Sequence, residues 1–448
     1  MINAQQENAR MLAAVLGIGE DEAAERLART VLVTVGAGAR DDWADEIIAL
    51  LSLTVEVTRT PGGPVHAELV IGDAVPLTTA PRLHAAIDAA GVTIAADPAA
   101  PSASSPHPLF ATIAACSVAA AALHLVIDDA SLPTSPLPLS YRFDTLGVPP
   151  GALDRPVDLS GAVLVGAGAV GHGFLRALRH LAARGSLPII DPKTVGEGNF
   201  NRCVYLRSGD GGRDKARALA MRAQGDFPNL ALEPCVEEFR AYCKRMGPPA
   251  TAIVTVDSRR ARRSIQSELP GRVIDASTTD IRAVVVHSHR QPTEHACLAC
   301  IYRHVPEENL RERAIAEGLG ITVEMVKQGF ISPAAAAAIA GRHQQVASSA
   351  IEGMAYDSLF KQLCAAQTLL SSDNRQVLAP FAFVSVLAGA LQVVELLRSD
   401  SRVEGTNYWT VDPWRAPVQR ARVLRPQIAD CEFCANPDVG AIARELWG

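Results

Sequence analysis

Gly166, Gly168 and Gly171 fall at the spacing Gly-x-Gly-x-x-Gly, and Asp191 follows 20 positions after the last of them. In such a run the first glycine permits a tight turn, the second lets the backbone approach a phosphate, and the third lets helix and strand pack closely. An acid about 20 residues further on holds a ribose hydroxyl in folds of this kind. These four residues are expected to bind a nucleotide, and by themselves they do not separate NAD from ATP. The next four do. Asn199, Arg202, Lys215 and Asp257 are of the types that handle a polyphosphate. Arg202 and Lys215 can neutralise a triphosphate and its transition state, Asn199 can hydrogen-bond it, and Asp257 can hold Mg²⁺ through a hard oxygen. A nicotinamide site would leave them idle, whereas nucleotidyl transfer from ATP uses them all.

Nine cysteines form the second chemical signal: Cys116, Cys203, Cys235, Cys243, Cys297, Cys300, Cys364, Cys431 and Cys434. An odd count argues against a disulfide framework. Cys297/Cys300 and Cys431/Cys434 are two Cys-x-x-Cys pairs. Together they can fill the tetrahedron of one structural Zn²⁺, leaving no position for water. A redox pair or a chance spacing are the other readings of the same residues. His287, His289 and His295 carry little signal, and a core or surface role suits each better than ligation.

These residues need a frame. The apolar stretch Ala162–Val165 runs into the glycines and 174–181 is apolar at helical spacing, which gives strand, glycine turn and helix. The helix N-terminus then offers unpaired N–H groups to an anion. A strand at 187–190 ends at Asp191, and another at 252–256 ends at Asp257. Upstream, the pattern predicts a helix at 4–16, a strand at Thr30–Val35, a helix at 42–51, strands at 54–58 and 68–71, a helix at 83–90, a strand at Gly91–Ala95 and an Ala-rich helix at 109–126. Alternating strands and helices mean a doubly wound, mostly parallel sheet. The first half thus repeats the second, but Gly36-Ala37-Gly38 lacks a third glycine and the charged set is missing. An unrelated α/β domain is the other reading of that half. Segment 98–108 is a Pro/Ser loop and 131–150 a linker. The run 380–397 is just short of a membrane span and contains Gln392 and Glu395, so it reads as a buried helix, as do 333–340 and 116–127.

In order and spacing, Gly166-x-Gly168-x-x-Gly171, Asp191, Asn199-x-x-Arg202, Lys215 and Asp257-x-x-x-x-Arg262 resemble the ThiF-like adenylating enzymes, which include the activating enzymes of ubiquitin and of the thiamine and molybdopterin sulfur carriers. The resemblance spans about residues 155–435. Cys203 stands where the family usually has Gln, Ser258 where an Asn often follows the metal acid, and Pro192-Lys193 replaces an Asp. The resemblance implies an inactive adenylation-like domain at 1–135, a linker at 136–155, a Rossmann-like adenylation domain at 156–306 resuming at 371–448 with a zinc knuckle, and a helical insertion at 307–370. It implies ATP, Mg²⁺ at Asp257 and Zn²⁺ at Cys297, Cys300, Cys431 and Cys434. The family's thioester cysteine lies between the first zinc pair and the long apolar helix, an interval in which this chain has Cys364. Its rival is Cys203, beside Arg202, while Cys116 reads as core. An arginine of the inactive half often completes such sites, and Arg10, Arg40 and Arg142 are the candidates. The implied partners are a ubiquitin-like protein and a conjugating enzyme, as in bacterial ubiquitin-like conjugation systems, some linked to antiviral defence; a homodimer stays open. A sulfur-carrier adenylyltransferase with no thioester step, an NAD-dependent oxidoreductase and a non-catalytic scaffold are the alternatives.

At 448 residues the chain has room for two or three cored domains. A net charge of −6 with no dominant basic stripe argues against nucleic acid as a partner. The run Arg259-Arg260-Ala261-Arg262-Arg263 is a solvated helix face or docking patch, Arg262 excepted. The first residues lack a basic segment followed by an apolar one, so a cytoplasmic protein without a membrane partner is expected.

Overall fold

The run Thr-Val-Leu-Val-Thr-Val is too apolar to leave either face in water, and it forms β1 (Thr30–Val35), a buried interior strand of the first sheet. Around it lie α1 (Ala4–Leu16), α2 (Glu20–Leu27), α3 (Asp41–Leu51), β2 (Glu56–Thr58), β3 (Ala67–Ile71), β4 (Arg82–Ile87), β5 (Gly91–Ala95), α4 (Pro108–Ile127) and β6 (Leu139–Arg142). The computed structural model describes residues 4–36, 41–98, 104–134, 136–279, 281–303, 306–344, 346–354, 356, 359–360, 381–400, 405–417 and 421–448. The first sheet has the order β2-β1-β3-β4-β5-β6. Its pairs are parallel from β2 to β4 and antiparallel from β4 to β6.

The second body comprises β7 (Val157–Asp158), β8 (Ala162–Val165), α5 (Ala169–Leu178), β9 (Ala183–Ile190), α6 (Lys215–Ala223), β10 (Leu230–Cys235), α7 (Phe239–Met246), β11 (Thr251–Val254), α8 (Arg259–Ser267), β12 (Arg272–Thr279), β13 (Ala283–Arg290) and α9 (Leu298–Ile301). After them come α10 (Pro306–Leu319), α11 (Val323–Lys327), α12 (Pro333–Arg342), α13 (Ser348–Ile351), α14 (Ala382–Asp400), β14 (Tyr408–Val411), β15 (Arg422–Val423) and α15 (Pro437–Trp447). Its sheet runs β10-β9-β8-β11-β12-β13-β14-β15, with β7 paired to β9. Strands β10 to β12 are parallel and β12 to β15 antiparallel.

The two sheets carry the same chain path. The series β2-β1-β3-β4-β5-β6 matches β9-β8-β11-β12-β13-β14 in order and direction, and among the described strands β7, β10 and β15 lack a counterpart. Helix α3 occupies the place of α5, and α4 that of α14. These four helices pack on one another between the sheets. Sandwiched there, α4 is apolar all round: it is long and apolar enough to cross a membrane, yet 78% of its most apolar window is buried in the protein. Helices α5 and α14 cross closely, because a Cβ on Gly389 would lie 2.1 Å from Phe174 N. Two polar residues of α14 bond within the core: Gln392 Nε2 donates to Val254 O and Ile274 O, and Glu395 accepts from Ser288 and Arg422. Across the bodies, the 6%-exposed Glu46 of α3 accepts from Arg176 (2.6 Å) and Arg179 (3.1 Å) of α5.

Two expectations fail here. Segment 83–90 is not a helix: Leu83, Ala85 and Ala86 lie in β4, paired to β3 on one side and β5 on the other, and ladder pairing overrides the helical propensity of Leu and Ala. The stretch 136–155 is not only a linker, since β6 within it closes the edge of the first sheet. Helices α10 to α13 surround their own small core of Ile315, Leu319, Ile339, Ile351, Tyr356 and Phe360.

Candidate functional site

The glycine turn joins β8 to α5. Gly166 has φ +106, a conformation a side chain resists, and Thr255 Oγ1 pins the turn by donating to Gly166 O at 2.6 Å. A Cβ on Gly171 would meet Gly166 O at 2.4 Å, so the third glycine is required by packing. Gly168 differs: a Cβ there meets nothing within 4 Å, and the residue begins α5 without a side-chain cap. Open space and uncapped N–H groups at the N-terminus of a ten-residue helix suit a phosphate. In the first body Gly36, which follows β1 as Gly166 follows β8, is closely packed as well: a Cβ there would lie 2.1 Å from Asp73 Oδ1.

Asp191 follows β9, adjacent to β8, and is 7% exposed. Its two oxygens accept from Ala167 N and Lys193 N, both at 2.8 Å, which ties the acid to the glycine turn. Lys193 then links the remaining charges. Its carbonyl accepts from Lys215 N at 2.8 Å, and its ammonium pairs with Asp257 Oδ1 at 3.4 Å. That carboxylate holds the Lys193 ammonium above its ordinary pKa. Lys215 begins α6, while Asp257 follows β11, the other neighbour of β8. The structure thus brings Gly166, Gly168, Gly171, Asp191, Lys215 and Asp257 to one end of three adjacent strands, the crevice at which doubly wound sheets bind ligands.

Asn199 and Arg202 sit in the loop after β9. Asn199 Oδ1 accepts from Gly196 N at 3.0 Å, and Arg202 Nη1 donates to Gly198 O (2.6 Å) and Asn201 Oδ1 (2.7 Å). Neither Arg202 nor Lys215 is paired with a carboxylate among the described residues, so both keep their charge for a ligand. Burial raises the pKa of Cys203 above the ordinary thiol value although Arg202 and Lys215 both work to lower it, so this rival to Cys364 is a buried, protonated thiol. His172, the next residue after Gly171, accepts from Tyr205 N, and burial pushes its pKa down to about 3, so it adds no positive charge.

Cys297, Cys300, Cys431 and Cys434 converge, with all four sulfurs within 4.8 Å of one another. The pairs Cys297–Cys300, Cys297–Cys431 and Cys300–Cys434 are 3.8, 3.6 and 3.4 Å apart. A tetrahedral ion with bonds of about 2.3 Å sets its sulfurs about 3.8 Å apart, so the donor set fits a metal.

Other candidates fall elsewhere. Cys364 and Arg40 lie outside the described residues. Arg10 pairs with Glu20, and Arg142 is exposed and pairs with Asp144. Arg262 is buried against Asp275 at 2.7 Å and under the Tyr302 ring, so it anchors α8 in the core. Sequence reading missed Thr255, Asn201 and the bridging role of Lys193. Position 193 was noted for the carboxylate it lacks, and the cation it supplies went unread.

Comparison with known proteins identifies the family. The ThiF family model matches residues 157–433, and the E1 N-terminal domain model matches residues 1–149. An uncharacterized protein of Sinorhizobium fredii, y4jF, is 29% identical over 266 residues, 55% of this chain and 50% of the relative, so the chain spans about half the length of that curated relative. Solved structures of E. coli MccB are similar in part: with succinimide, 12% identity and a TM-score of 0.39 over 64% of this chain and 67% of that one. With ATP the figures are 13%, 0.38, 64% and 68%. A structure of PaaA gives 21% and 0.27 over 32% of this chain and 45% of that one. With its family match covering more than half of the sequence, this chain belongs to the ThiF family.

Proposed function

We propose that this chain uses ATP to adenylate the C-terminal carboxylate of a small ubiquitin-like protein and then takes the acyl group onto Cys364. The observation that carries the reading is the meeting, at one end of β9, β8 and β11, of an open glycine turn with Asp191, Lys215 and the exposed carboxylate of Asp257, with Arg202 in the loop after β9 and neither cation paired with a carboxylate among the described residues. Asp191 orients the ribose and the N-terminus of α5 receives phosphate oxygens. A carboxylate oxygen of the partner attacks the α-phosphorus, the bond to the bridging oxygen breaks and pyrophosphate leaves. Arg202 and Lys215 balance the charge that grows on the departing phosphates, and Asn199 hydrogen-bonds them. Asp257, 61% exposed at its side chain, is a hard-oxygen ligand for Mg²⁺, whose chemistry here is to shield phosphate charge. Zn²⁺ suits the four-cysteine cluster as a closed structural site. The Cys364 thiolate would then attack the acyl carbon, expelling AMP and leaving a thioester for a conjugating enzyme.

ATP–pyrophosphate exchange with candidate ubiquitin-like proteins, followed by non-reducing electrophoresis, tests this. Exchange that is lost in Arg202→Ala, with a thiol-sensitive adduct lost in Cys364→Ala, is the expected result. Exchange without adduct and indifferent to Cys364→Ala identifies a sulfur-carrier adenylyltransferase. NAD binding without exchange identifies an oxidoreductase.

A further inference from the structure

We propose that the N-terminal helix α1 is a working part of the nucleotide site, with Asn8 positioning Arg202 through Asn201; the inference rests on the reading of Arg202 as a phosphate cation. Asn8 and Asn201 are 4% and 2% exposed, although they lie on different bodies. Asn8 Nδ2 donates to Leu53 O at 2.8 Å, Asn8 Oδ1 accepts from Asn201 Nδ2 at 2.8 Å, and Asn201 Oδ1 accepts from Arg202 Nη1 at 2.7 Å.

This relay has one allowed direction. A backbone carbonyl only accepts and a guanidinium only donates, so each end dictates which way the neighbouring amide must face. If either amide flips, a donor meets a donor and an acceptor meets an acceptor, both out of water, which is costly. Arg202 is therefore held in place by the first body. It is also held without being neutralised. Arg176, Arg222, Arg262 and Arg422 pair with carboxylates, whereas Arg202, like Arg29, is held by neutral oxygens, here a carbonyl and an amide oxygen. Neutral acceptors orient a guanidinium and leave its charge for a phosphate. Helix α1 meets the same loop a second time, where a Cβ on Gly198 would lie 3.8 Å from Glu7 Cδ. Asn8 is thus a positioning residue that touches no substrate.

The test is a double-mutant cycle on the full chain, read in the Kd for α,β-methylene-ATP, an analogue that cannot release pyrophosphate, and in thermal melting. Asn8→Ala in the native background is expected to weaken the analogue roughly tenfold, by misplacing Arg202. With Arg202→Met already present, Asn8→Ala is expected to weaken it by less than about twofold, while its shift in melting temperature is the same in both backgrounds. A structural role would cost affinity equally in both. Equal losses, or no loss in the native background, overturn the proposal. Should Asn8→Ala not fold, Asn201→Ala breaks the same link from the loop side and must give the same pair of results. An unchanged Kd in Arg202→Met alone removes Arg202 from the phosphate site and takes this proposal with it. By contrast, a normal effect of Arg202→Met with no effect of Asn8→Ala leaves the function standing and overturns only the relay.

Discussion

At the scale of the residue, the three glycines do different work, and substitution separates them. Gly168 has ordinary extended backbone angles and open space for a side chain. Gly168→Val is expected to fold with nearly unchanged melting temperature but to raise the KM for ATP by about tenfold or more, because the branched side chain stands where a phosphate must approach. Gly171→Val drives carbons into Gly166 O and is expected to destabilise by about 1–3 kcal/mol, read from the urea midpoint. With Asp257 as the proposed Mg²⁺ acid, Lys193 would compete with the cation, and Lys193→Met is expected to lower the Mg²⁺ concentration giving half-maximal exchange. The pair is long, at 3.4 Å, and its acid is 61% exposed, so the gain is no more than about fivefold. An unchanged or raised Mg²⁺ requirement would show that Asp257 is not the metal acid.

At the scale of the element, the glycine turn is only as well placed as α5, and α5 is clamped from both sides. Helix α14 crosses it closely, and Glu46 of α3 grips Arg176 and Arg179. Breaking a buried pair by removing one partner strands the other charge. Glu46→Ala is therefore expected to cost roughly 3 kcal/mol in denaturant unfolding, at the lower end for such losses because both arginines keep some contact with water. Glu46→Gln, which keeps the shape but not the charge, is expected to fall between the two. The cysteine cluster joins α9 to the segment ahead of α15. Elemental analysis is expected to find one zinc per chain, and Cys300→Ser or a chelator to lower the melting temperature.

At the scale of the whole molecule, two bodies with the same strand path face each other through equivalent helices, as two subunits do across a twofold axis. The glycine turn of the second body has open space at Gly168, and the first body contributes Asn8 and Glu46 to the second. Two buried histidines are expected to make the fold acid-sensitive. Burial lowers the pKa of His172 to about 3 and of His180, which hydrogen-bonds Thr112 across the bodies, to about 4, against an ordinary 6.5. Between those values the unfolded chain binds protons that the folded chain refuses, so stability rises with pH. The contribution is complete above pH 6.5 and is lost as pH falls toward 4, by at most about 1.4 kcal/mol per pH unit for each histidine. Urea midpoints measured from pH 7 down to pH 5 are expected to fall, and less steeply in His172→Gln. A flat profile would mean that these rings are protonated in the folded protein.

The sequence alone determined the local chemistry: the glycine spacing, the acids at strand ends, the two cysteine pairs and the doubly wound class. Each of these rests on short-range rules of periodicity, turn geometry and ligand spacing, which act within about 30 residues. Tertiary structure alone decided the rest. Residues 83–87 became strand because β3 and β5 lie beside them, and Arg262 became a core anchor because Asp275 and Tyr302 reach it. Lys193 met Asp257 across 64 positions, and Asn8 met Asn201 across 193. No periodicity encodes such contacts, since they arise only when separate elements are brought together and each buried polar group must take the partner that packing leaves within reach.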